Sequence, residues 1–357
     1  MTATTMMTTI RSDLWAAMGL ATVLMATPAH ATSQGGDPVQ VVTTLPVYAD
    51  LVQEIGGSEV EVTSIAAPNE DAHFVRPKPS FALTLRHADL FVTTGLDLEL
   101  WAPVLIDRAG NTNVSEGGRG YVTAYTSIKL LDIPTSTDRS GGDVHIFGNP
   151  HLTSDPLRTL QVARNITVGL KRVSPERSLR WDEGMTRFQA RMYEAVFGAR
   201  LVELLGGELL EELALSGNLQ SFLDEQEFEG EHLSKSLGGW LAQAQTLQGQ
   251  EIICYHKNWA YFEDRFGLTC ADYVETKPGI PPTPGHVVDL LELMETRGLR
   301  VILAAAYFPE GKVASVARKA GAEVVRFSLN PAPGDDYFSM VDKWIHDLTG
   351  AVAPSGS

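Results

Sequence analysis

Short hydrophobic runs rich in valine and isoleucine alternate with helical stretches in the first part of the chain. Three such runs lie at residues 39–45, 60–66 and 90–95, and each has the length of a buried β-strand. Residues 47–56 and 79–88, which lie between them, have a helical pattern. Strands that alternate with helices in this way predict parallel βαβ units.

The same alternation returns near the end of the chain. Four further strand-like runs and two helical stretches occur there, namely EIICYH (251–256), CADYV (270–274), RVILAA (300–305), AEVVRFSL (322–329), PGHVVDLLELMETRG (284–298) and EGKVASVARKAG (310–321). The pattern therefore predicts a second α/β unit of the same kind.

The segment between the two units has a helical pattern. Ser154, Asp155 and Pro156 supply a capping residue and a proline for a first helical turn, so a helix is predicted to begin there. The pattern continues to about residue 200, and we expect any kink at Gly169 or Pro175. One long helix, or two nearly continuous ones, should connect the two units.

These elements predict an α/β fold of two lobes, each a parallel sheet flanked by helices. The predicted boundaries are 39–152 for the N-terminal lobe, 153–200 for the linker helix, 201–247 for a helical insertion and 248–350 for the C-terminal lobe. Open α/β sheets bind ligands at the carboxyl ends of their strands, and a cleft between lobes is a usual place for a small ligand.

Residues 1–31 have the pattern of an export signal. Arg11 precedes a short apolar run at 14–26, and the small residues Ala29 and Ala31 follow it. The run is too short to span a membrane comfortably, so we predict a secretory signal peptide that is cleaved after Ala31. Because the residue directly after Ala31 is not a cysteine, we expect no lipid anchor and a soluble exported protein, periplasmic in a cell with two membranes.

The chain is strongly acidic, with a formal net charge of −16 at pH 7. A chain of this charge is a poor partner for nucleic acids and for anionic membranes. The acidity is compatible with a carrier of cations.

The two cysteines of the chain are Cys254 and Cys270. An exported protein with two cysteines often oxidises them to one disulfide, which we favour here. Both lie on predicted strands, so two buried free thiols are the alternative. Their spacing fits no thiolate zinc motif.

Three histidines lie where loops leave the predicted strands. His73 follows the second strand, His151 lies in the loop that enters the linker helix, and His256 ends the strand at 251–256. A surface or helix-capping position would explain each histidine alone. All three fall at the ligand-binding edges of the sheets, however, and this favours a shared site.

Six segments, taken in order, resemble the solute-binding proteins of zinc and manganese ABC transporters. They are TTLPVYADLVQEIGG (43–57), NEDAHFVRPKPS (69–80), ADLFVTTGLDLELW (88–101), GNPHLTSDP (148–156), YHKNWAYFEDRFGL (255–268) and ETKPGIPPTPGHVVDLLELM (275–294). The resemblance covers nearly the whole exported chain apart from residues 200–247, and the shared order of the segments makes it specific.

The resemblance implies two lobes joined by a long rigid helix, with one metal ion held in the cleft between them. It also implies that His73, His151 and His256 are metal ligands. The protein would then be a monomeric, non-enzymatic carrier that delivers its metal to an ABC permease and ATPase complex in the inner membrane.

The expected metal is zinc. Imidazoles suit zinc, copper or nickel, whereas manganese prefers more oxygen ligands. In the resembled family the third ligand is typically a histidine in zinc carriers and a carboxylate in manganese carriers, and here it is His256. Zinc carriers often have a histidine-rich loop in the first lobe, but residues 111–142 contain no histidine. Manganese and iron therefore stay open as alternatives.

The fourth ligand departs from the resembled pattern. The family usually has an aspartate just after the last core strand, where this chain has Asn330. We expect Asp335 to complete the site, with Asp336 or a water as alternatives, although both acids also suit the start of the following helix. His145 and Glu275 are expected to lie beside the ligands rather than among them.

A zinc hydrolase that uses the three histidines and a metal-bound water is the alternative class of protein. The sequence contains no HExxH motif and no glycine-rich phosphate loop, and it shows no clear general base beside the histidines. These observations favour the non-enzymatic carrier.

Overall fold

The computed structural model describes residues 36–134, 145–277 and 279–353, and its framework is a pair of four-stranded parallel sheets. The predicted signal peptide lies outside the described residues. The strands are β1 (Val39–Thr43), β2 (Val60–Ser64), β3 (Leu90–Thr93), β4 (Tyr121–Thr123), β5 (Glu227–Phe228), β6 (Glu231–His232), β7 (Glu251–Cys254), β8 (Thr269–Tyr273), β9 (Val301–Ala305) and β10 (Glu323–Phe327).

Helices flank both sheets and fill the segment between them. They are α1 (Pro46–Gly56), α2 (Pro79–Arg86), α3 (Ala102–Ala109), α4 (Pro156–Val173), α5 (Ser178–Phe197), α6 (Ala199–Leu205), α7 (Gly207–Leu215), α8 (Leu219–Glu225), α9 (Gly239–Gln243), α10 (Ala260–Phe266), α11 (Pro284–Arg297), α12 (Glu310–Ala320) and α13 (Tyr337–Val352). No helix of the described residues is long and apolar enough to cross a membrane.

The two sheets have the same topology. The strand order is β2-β1-β3-β4 in the first and β10-β9-β7-β8 in the second, with parallel pairing throughout. The inner strands β3 and β9 are buried along their whole length, as expected for strands that are covered on both faces. In each sheet the winding direction reverses between the two inner strands, which creates a ligand crevice at their carboxyl ends. The predicted α/β class with two parallel sheets is confirmed.

The predicted linker is built from two helices, because the chain turns back at Ser174 and Pro175. Pro175 has no amide hydrogen, so α4 ends before it and a short 3-10 turn leads into α5. Arg164 of α4 reaches the hydroxyl of Tyr193 on α5, and Lys171 pairs with Asp182, so the two helices run antiparallel. The long helix that joins the lobes is α5.

Gly169 does not kink α4. A side chain at this position would meet Val122 of β4 at 2.4 Å and Leu90 of β3 at 3.0 Å. The glycine therefore lets the helix lie close against the first sheet. The predicted start of the helix is confirmed, since the side chain of Asp155 accepts a hydrogen bond from the amide of Leu157 and Pro156 follows directly.

Cys254 and Cys270 form a disulfide between the neighbouring strands β7 and β8, with their Cα atoms 5.4 Å apart. This confirms the predicted pairing and excludes the alternative of two free thiols. The bond lies in the C-terminal lobe, directly before the loop that carries His256.

Direct hydrogen bonds join the two lobes. The amide of Tyr337, at the start of α13, donates to Oδ2 of Asp50 on α1 at 2.9 Å. The hydroxyl of Tyr261 on α10 donates to the carbonyl of Asn149 at 2.6 Å. These contacts tie α13 to α1 and α10 to the loop that precedes His151.

Candidate metal-binding site

Histidines from loops of both lobes converge where the strands of the two sheets end. His73 follows β2, His145 and His151 follow β4, and His256 follows β7. Rings of the first three lie 5.2–5.9 Å apart between centroids, and the ring of His256 lies 6.1 Å from that of His73. The structure thus brings together all three of the predicted histidines and adds a fourth.

His73 is held by a short turn between two prolines. Asp71 caps the turn Ala72–Phe74, and its Oδ1 accepts a hydrogen bond from the amide of His73 at 3.0 Å. The same oxygen accepts a hydrogen bond from Nδ1 of the ring at 2.7 Å. Because Nδ1 donates to a carboxylate, the lone pair of the neutral ring is on Nε2, which points to the other histidines.

His145 has the same arrangement. Its Nδ1 donates to Oδ1 of Asp97 at 2.8 Å, and the side chain is 2% exposed. Burial raises the pKa of Asp97, but the hydrogen bonds from His145 and from the amide of Ile146 outweigh it and hold the pKa below its usual value. Asp97 is therefore an ionised acceptor, and the lone pair of the neutral His145 ring is on Nε2.

The Nε2 atoms of His73 and His145 face each other at 3.1 Å. Two lone pairs at this distance repel unless a proton or a cation lies between them. In a tetrahedral zinc site with Zn–N bonds of 2.0–2.1 Å, two nitrogen ligands lie about 3.3–3.4 Å apart. The observed separation is therefore close to that of two ligands of one ion.

His151 is buried and completes a group of three. One ligand atom from each of His73, His145 and His151 lies within 4.8 Å of the others. Burial lowers the pKa of His151 well below its usual value, and the nearby rings of His73, His145 and His256 lower it further. The ring therefore stays neutral at physiological pH, which is the form that binds a metal ion.

His256 approaches from the C-terminal lobe. Its Nδ1 donates to the backbone carbonyl of Glu275 at 2.9 Å, which makes Nε2 the metal-binding nitrogen of the neutral ring. We expected Glu275 to support a histidine, and it does so through its backbone. Its carboxylate instead accepts a hydrogen bond from the amide of Gly279 at 2.8 Å.

The two acids that were expected to supply a fourth ligand have other surroundings. Asp335 is exposed in the turn before α13 and is not a member of the group that the structure gathers. Asp336 caps α13 by accepting a hydrogen bond from the amide of Ser339 at 2.8 Å, and it pairs with Arg191 at 2.6 Å. Both positions agree with the alternative that the acids stabilise the start of the helix.

A small cavity adjoins His151. Its volume is about 30 Å³, and its lining includes Tyr48, Tyr307 and Asn330. That space is enough for a water molecule, which needs about 10–15 Å³. Oδ1 of Asn330 accepts a hydrogen bond from the amide of Val47 at 3.2 Å.

Sequence reasoning placed His145 beside the ligands, and it did not find the ring partners Asp71 and Asp97. The sequence did contain a signal for Asp71, because a carboxylate two residues before a candidate histidine ligand can reach its ring. Asp97 is distant from His145 in the chain, so only the fold could pair them. Asn258, whose amide nitrogen lies 3.3 Å from Nε2 of His151, was also missed.

Two parallel α/β lobes with a histidine cluster at their strand ends define the class of protein: a two-lobed α/β protein with a candidate metal site. A family model described as zinc-uptake complex component A, periplasmic, matches residues 41–196 and 232–351. The chain belongs to this family. The unmatched stretch between the two segments contains α6, α7, α8 and β5 and overlaps the predicted insertion.

Curated relatives are similar over parts of their length. The manganese-binding lipoprotein MntA of Halalkalibacterium halodurans is 32% identical over 85 residues, which are 24% of this chain and 28% of that protein. The iron-binding protein YfeA of Yersinia pestis is 27% identical over 43% of this chain and 46% of its own length. The manganese ABC transporter substrate-binding lipoprotein PsaA of Streptococcus pneumoniae is 24% identical over 36% of this chain and 41% of its own. This chain thus spans less than half the length of these relatives.

Solved structures share the fold over nearly the whole chain. A crystal structure of ZnuA has a TM-score of 0.64 at 18% identity and covers 89% of this chain and 100% of that one. The protein FpvC of Pseudomonas aeruginosa, in complex with Mn²⁺, has a TM-score of 0.65 at 16% identity and covers 90% of this chain and 100% of that one. At these identities the similarity establishes the two-lobed fold.

Proposed function

We propose that this protein captures a divalent transition metal outside the cytoplasm and delivers it to a membrane ABC permease and its ATPase. The observation that carries this proposal is the pair of Nε2 atoms of His73 and His145, which face each other at 3.1 Å while Nδ1 of each ring donates to a carboxylate. A cation between them removes the repulsion of the two lone pairs. Family membership supports the delivery step.

The proposed ligands are His73, His145, His151 and His256. They come from both lobes, so a bound ion bridges the lobes and favours their closed arrangement. His145 replaces the predicted Asp335 in this set because it is buried and lies at ligand distance from His73, whereas Asp335 is exposed.

Zinc is the proposed cargo. Imidazole nitrogen favours zinc over manganese, and the proposed set contains only imidazoles. The names of the relatives span manganese, iron and zinc uptake, so the choice of metal in this chain rests on its own ligands.

The site does not suit the alternative of a zinc hydrolase. The carboxylates beside the rings, Asp71 and Asp97, accept hydrogen bonds from Nδ1 of His73 and His145. They orient the imidazoles and are not placed as free general bases for a metal-bound water.

The test is a competition for the metal-free protein between equimolar Zn²⁺ and Mn²⁺, followed by elemental analysis of the protein after desalting. We expect about one zinc per chain and little manganese. Manganese retained in place of zinc would overturn the choice of metal, and retention of neither would overturn metal capture itself. Asp335→Ala should retain zinc as the parent does, and a loss of zinc in this variant would restore Asp335 to the ligand set.

A further inference from the structure

Asn258 is a fully buried amide that touches the histidine cluster without filling its hydrogen-bonding capacity. Its Nδ2 donates to the hydroxyl of Tyr307 at 3.0 Å and lies 3.3 Å from Nε2 of His151. Its Oδ1 is buried and has no hydrogen-bond partner among the described residues. Because Oδ1 has no partner to lose, the amide can turn over without breaking a hydrogen bond of its oxygen.

The amide contact identifies the metal-binding nitrogen of His151. An amide NH₂ group only donates hydrogen bonds, so Nε2 of His151 accepts and carries the lone pair. The separation of 3.3 Å equals the spacing of about 3.3 Å between two ligands of one tetrahedral ion. The end of the amide that faces His151 therefore lies at the distance from Nε2 that a neighbouring ligand of the same ion would have.

A cation on Nε2 of His151 reverses the preferred orientation of the amide. The NH₂ end carries positive partial charge and is repelled by the ion, whereas the oxygen end is attracted. The two ends are nearly equal in size, so the amide exchanges them within the same space. Tyr307 permits the exchange, because its hydroxyl accepts from Nδ2 in one orientation and donates to Oδ1 in the other.

We propose that Asn258 turns its amide oxygen to the bound ion and supplies a fifth ligand next to His151. The proposal rests on the proposed function, since it needs an ion at the histidine cluster. One amide atom has no hydrogen-bond partner in either orientation. The change of orientation is therefore driven by the attraction between the cation and the amide oxygen, and not by a gain in hydrogen bonds. An oxygen ligand and a coordination number above four make the site more tolerant of manganese and iron than four imidazoles alone.

The first test uses Co²⁺ as a spectroscopic probe in the parent protein. Four-coordinate Co²⁺ absorbs visible light intensely, and five-coordinate Co²⁺ absorbs it with intermediate intensity. We expect an intermediate, five-coordinate spectrum for the parent and for Asn258→Asp, which keeps an oxygen, and an intense four-coordinate spectrum for Asn258→Leu. An intense spectrum in the parent overturns the proposal without any variant.

The second test measures Mn²⁺ and Zn²⁺ affinities by competition. Asn258→Leu should lose roughly 10-fold or more in Mn²⁺ affinity and distinctly less in Zn²⁺ affinity. A loss of about 10-fold in affinity is typical when a residue that supports a metal site is removed. Asn165→Leu is the matched control. The amide of Asn165 donates to the carbonyls of Ala124 and Thr126, and within the described part of the chain none of its hydrogen bonds reaches a histidine of the cluster. If Asn258→Leu binds zinc and has the same ratio of Mn²⁺ to Zn²⁺ affinity as the parent, the role of Asn258 is overturned and the capture function stands. A parent that retains no metal overturns the capture function as well.

Discussion

Three of the four histidines of the cluster, His73, His145 and His256, are oriented by a hydrogen-bond acceptor at Nδ1. Asp71, Asp97 and the carbonyl of Glu275 each accept a hydrogen bond from Nδ1 of a ring. This fixes the tautomer and aims Nε2 at a common point before any ion arrives. The site therefore needs little side-chain ordering on binding, which is a property expected of a high-affinity site.

Removal of a proposed ligand tests the site most directly. His73→Ala should weaken zinc binding by more than about 100-fold, because a lost metal–nitrogen bond costs more than the 10–100-fold that is typical of a lost outer partner. His87→Ala is the matched control, since His87 is an exposed residue of the same lobe. This variant should bind zinc as tightly as the parent does. Competition titration with a chelator of known affinity measures both. An unchanged affinity in His73→Ala would show that this loop is only a turn.

The partner of His145 offers a second test at the same scale. Asp97→Ala should weaken zinc binding by about 10–100-fold, because the His145 ring loses the carboxylate that fixes its tautomer. Asp107→Ala removes an exposed carboxylate from the neighbouring helix α3 and should have little effect. The same titration applies, and equal affinities for the two variants would contradict the proposed role of Asp97.

At the scale of elements, the start of α4 is tied to the C-terminal lobe by a buried ion network. Asp155 caps α4 and is fully buried, and its carboxylate accepts hydrogen bonds from Arg158 and from Arg265 of α10. Burial raises the pKa of Asp155, but the two arginines and the Leu157 amide outweigh it and lower the pKa. The network fixes the loop that carries His151 relative to α10, which follows His256.

Asp155→Ala should destabilise the protein by about 3–5 kcal/mol, because it leaves Arg265 without its buried counter-charge and leaves Arg158 only the half-exposed Asp264. Asp182→Ala is the control, since the pair of Asp182 with Lys171 is exposed to solvent and its loss should cost less than about 1 kcal/mol. Urea unfolding followed by circular dichroism gives both values. A cost below that of the control would mean that the arginines find other partners.

At the scale of the whole molecule, the two lobes meet at Asp50. Burial is the largest cause that raises the pKa of Asp50 from 3.8 to about 6, and the carboxylates of Glu54 and Asp336 add to it. The amide of Tyr337 and the charge of Arg191 act in the opposite direction. Because the folded state holds this proton more tightly, its contribution to stability is full below pH 3.8 and is lost as the pH rises through about 6.

Asp50→Asn should therefore be more stable than the parent at pH 7.5, by about 1–3 kcal/mol, and nearly equal to it at pH 4. The asparagine keeps an oxygen that accepts the amide of Tyr337 but has no charge to desolvate. Asp289→Asn, on the exposed face of α11, should change stability little at either pH. Urea unfolding at the two pH values measures the differences. A gain that is the same at both would show that Asp50 is not the titrating group.

The sequence by itself determined the two α/β lobes, the disulfide and three of the four clustered histidines. Buried strands and helical stretches are set by local periodicity, and His73, His151 and His256 follow strand ends that this periodicity marks. The predicted export of the protein, together with its two cysteines, favoured one disulfide bond.

Only the tertiary structure decided which side chains meet. It turned the chain back at Pro175, paired His145 with Asp97 across 48 residues, and placed the amide of Asn258 against His151. Such contacts join residues that are far apart in the chain, and their geometry depends on how helices pack on sheets rather than on any local pattern. The periodicity of a chain therefore fixes where its strands end, whereas the packing of the lobes fixes what those ends bring together.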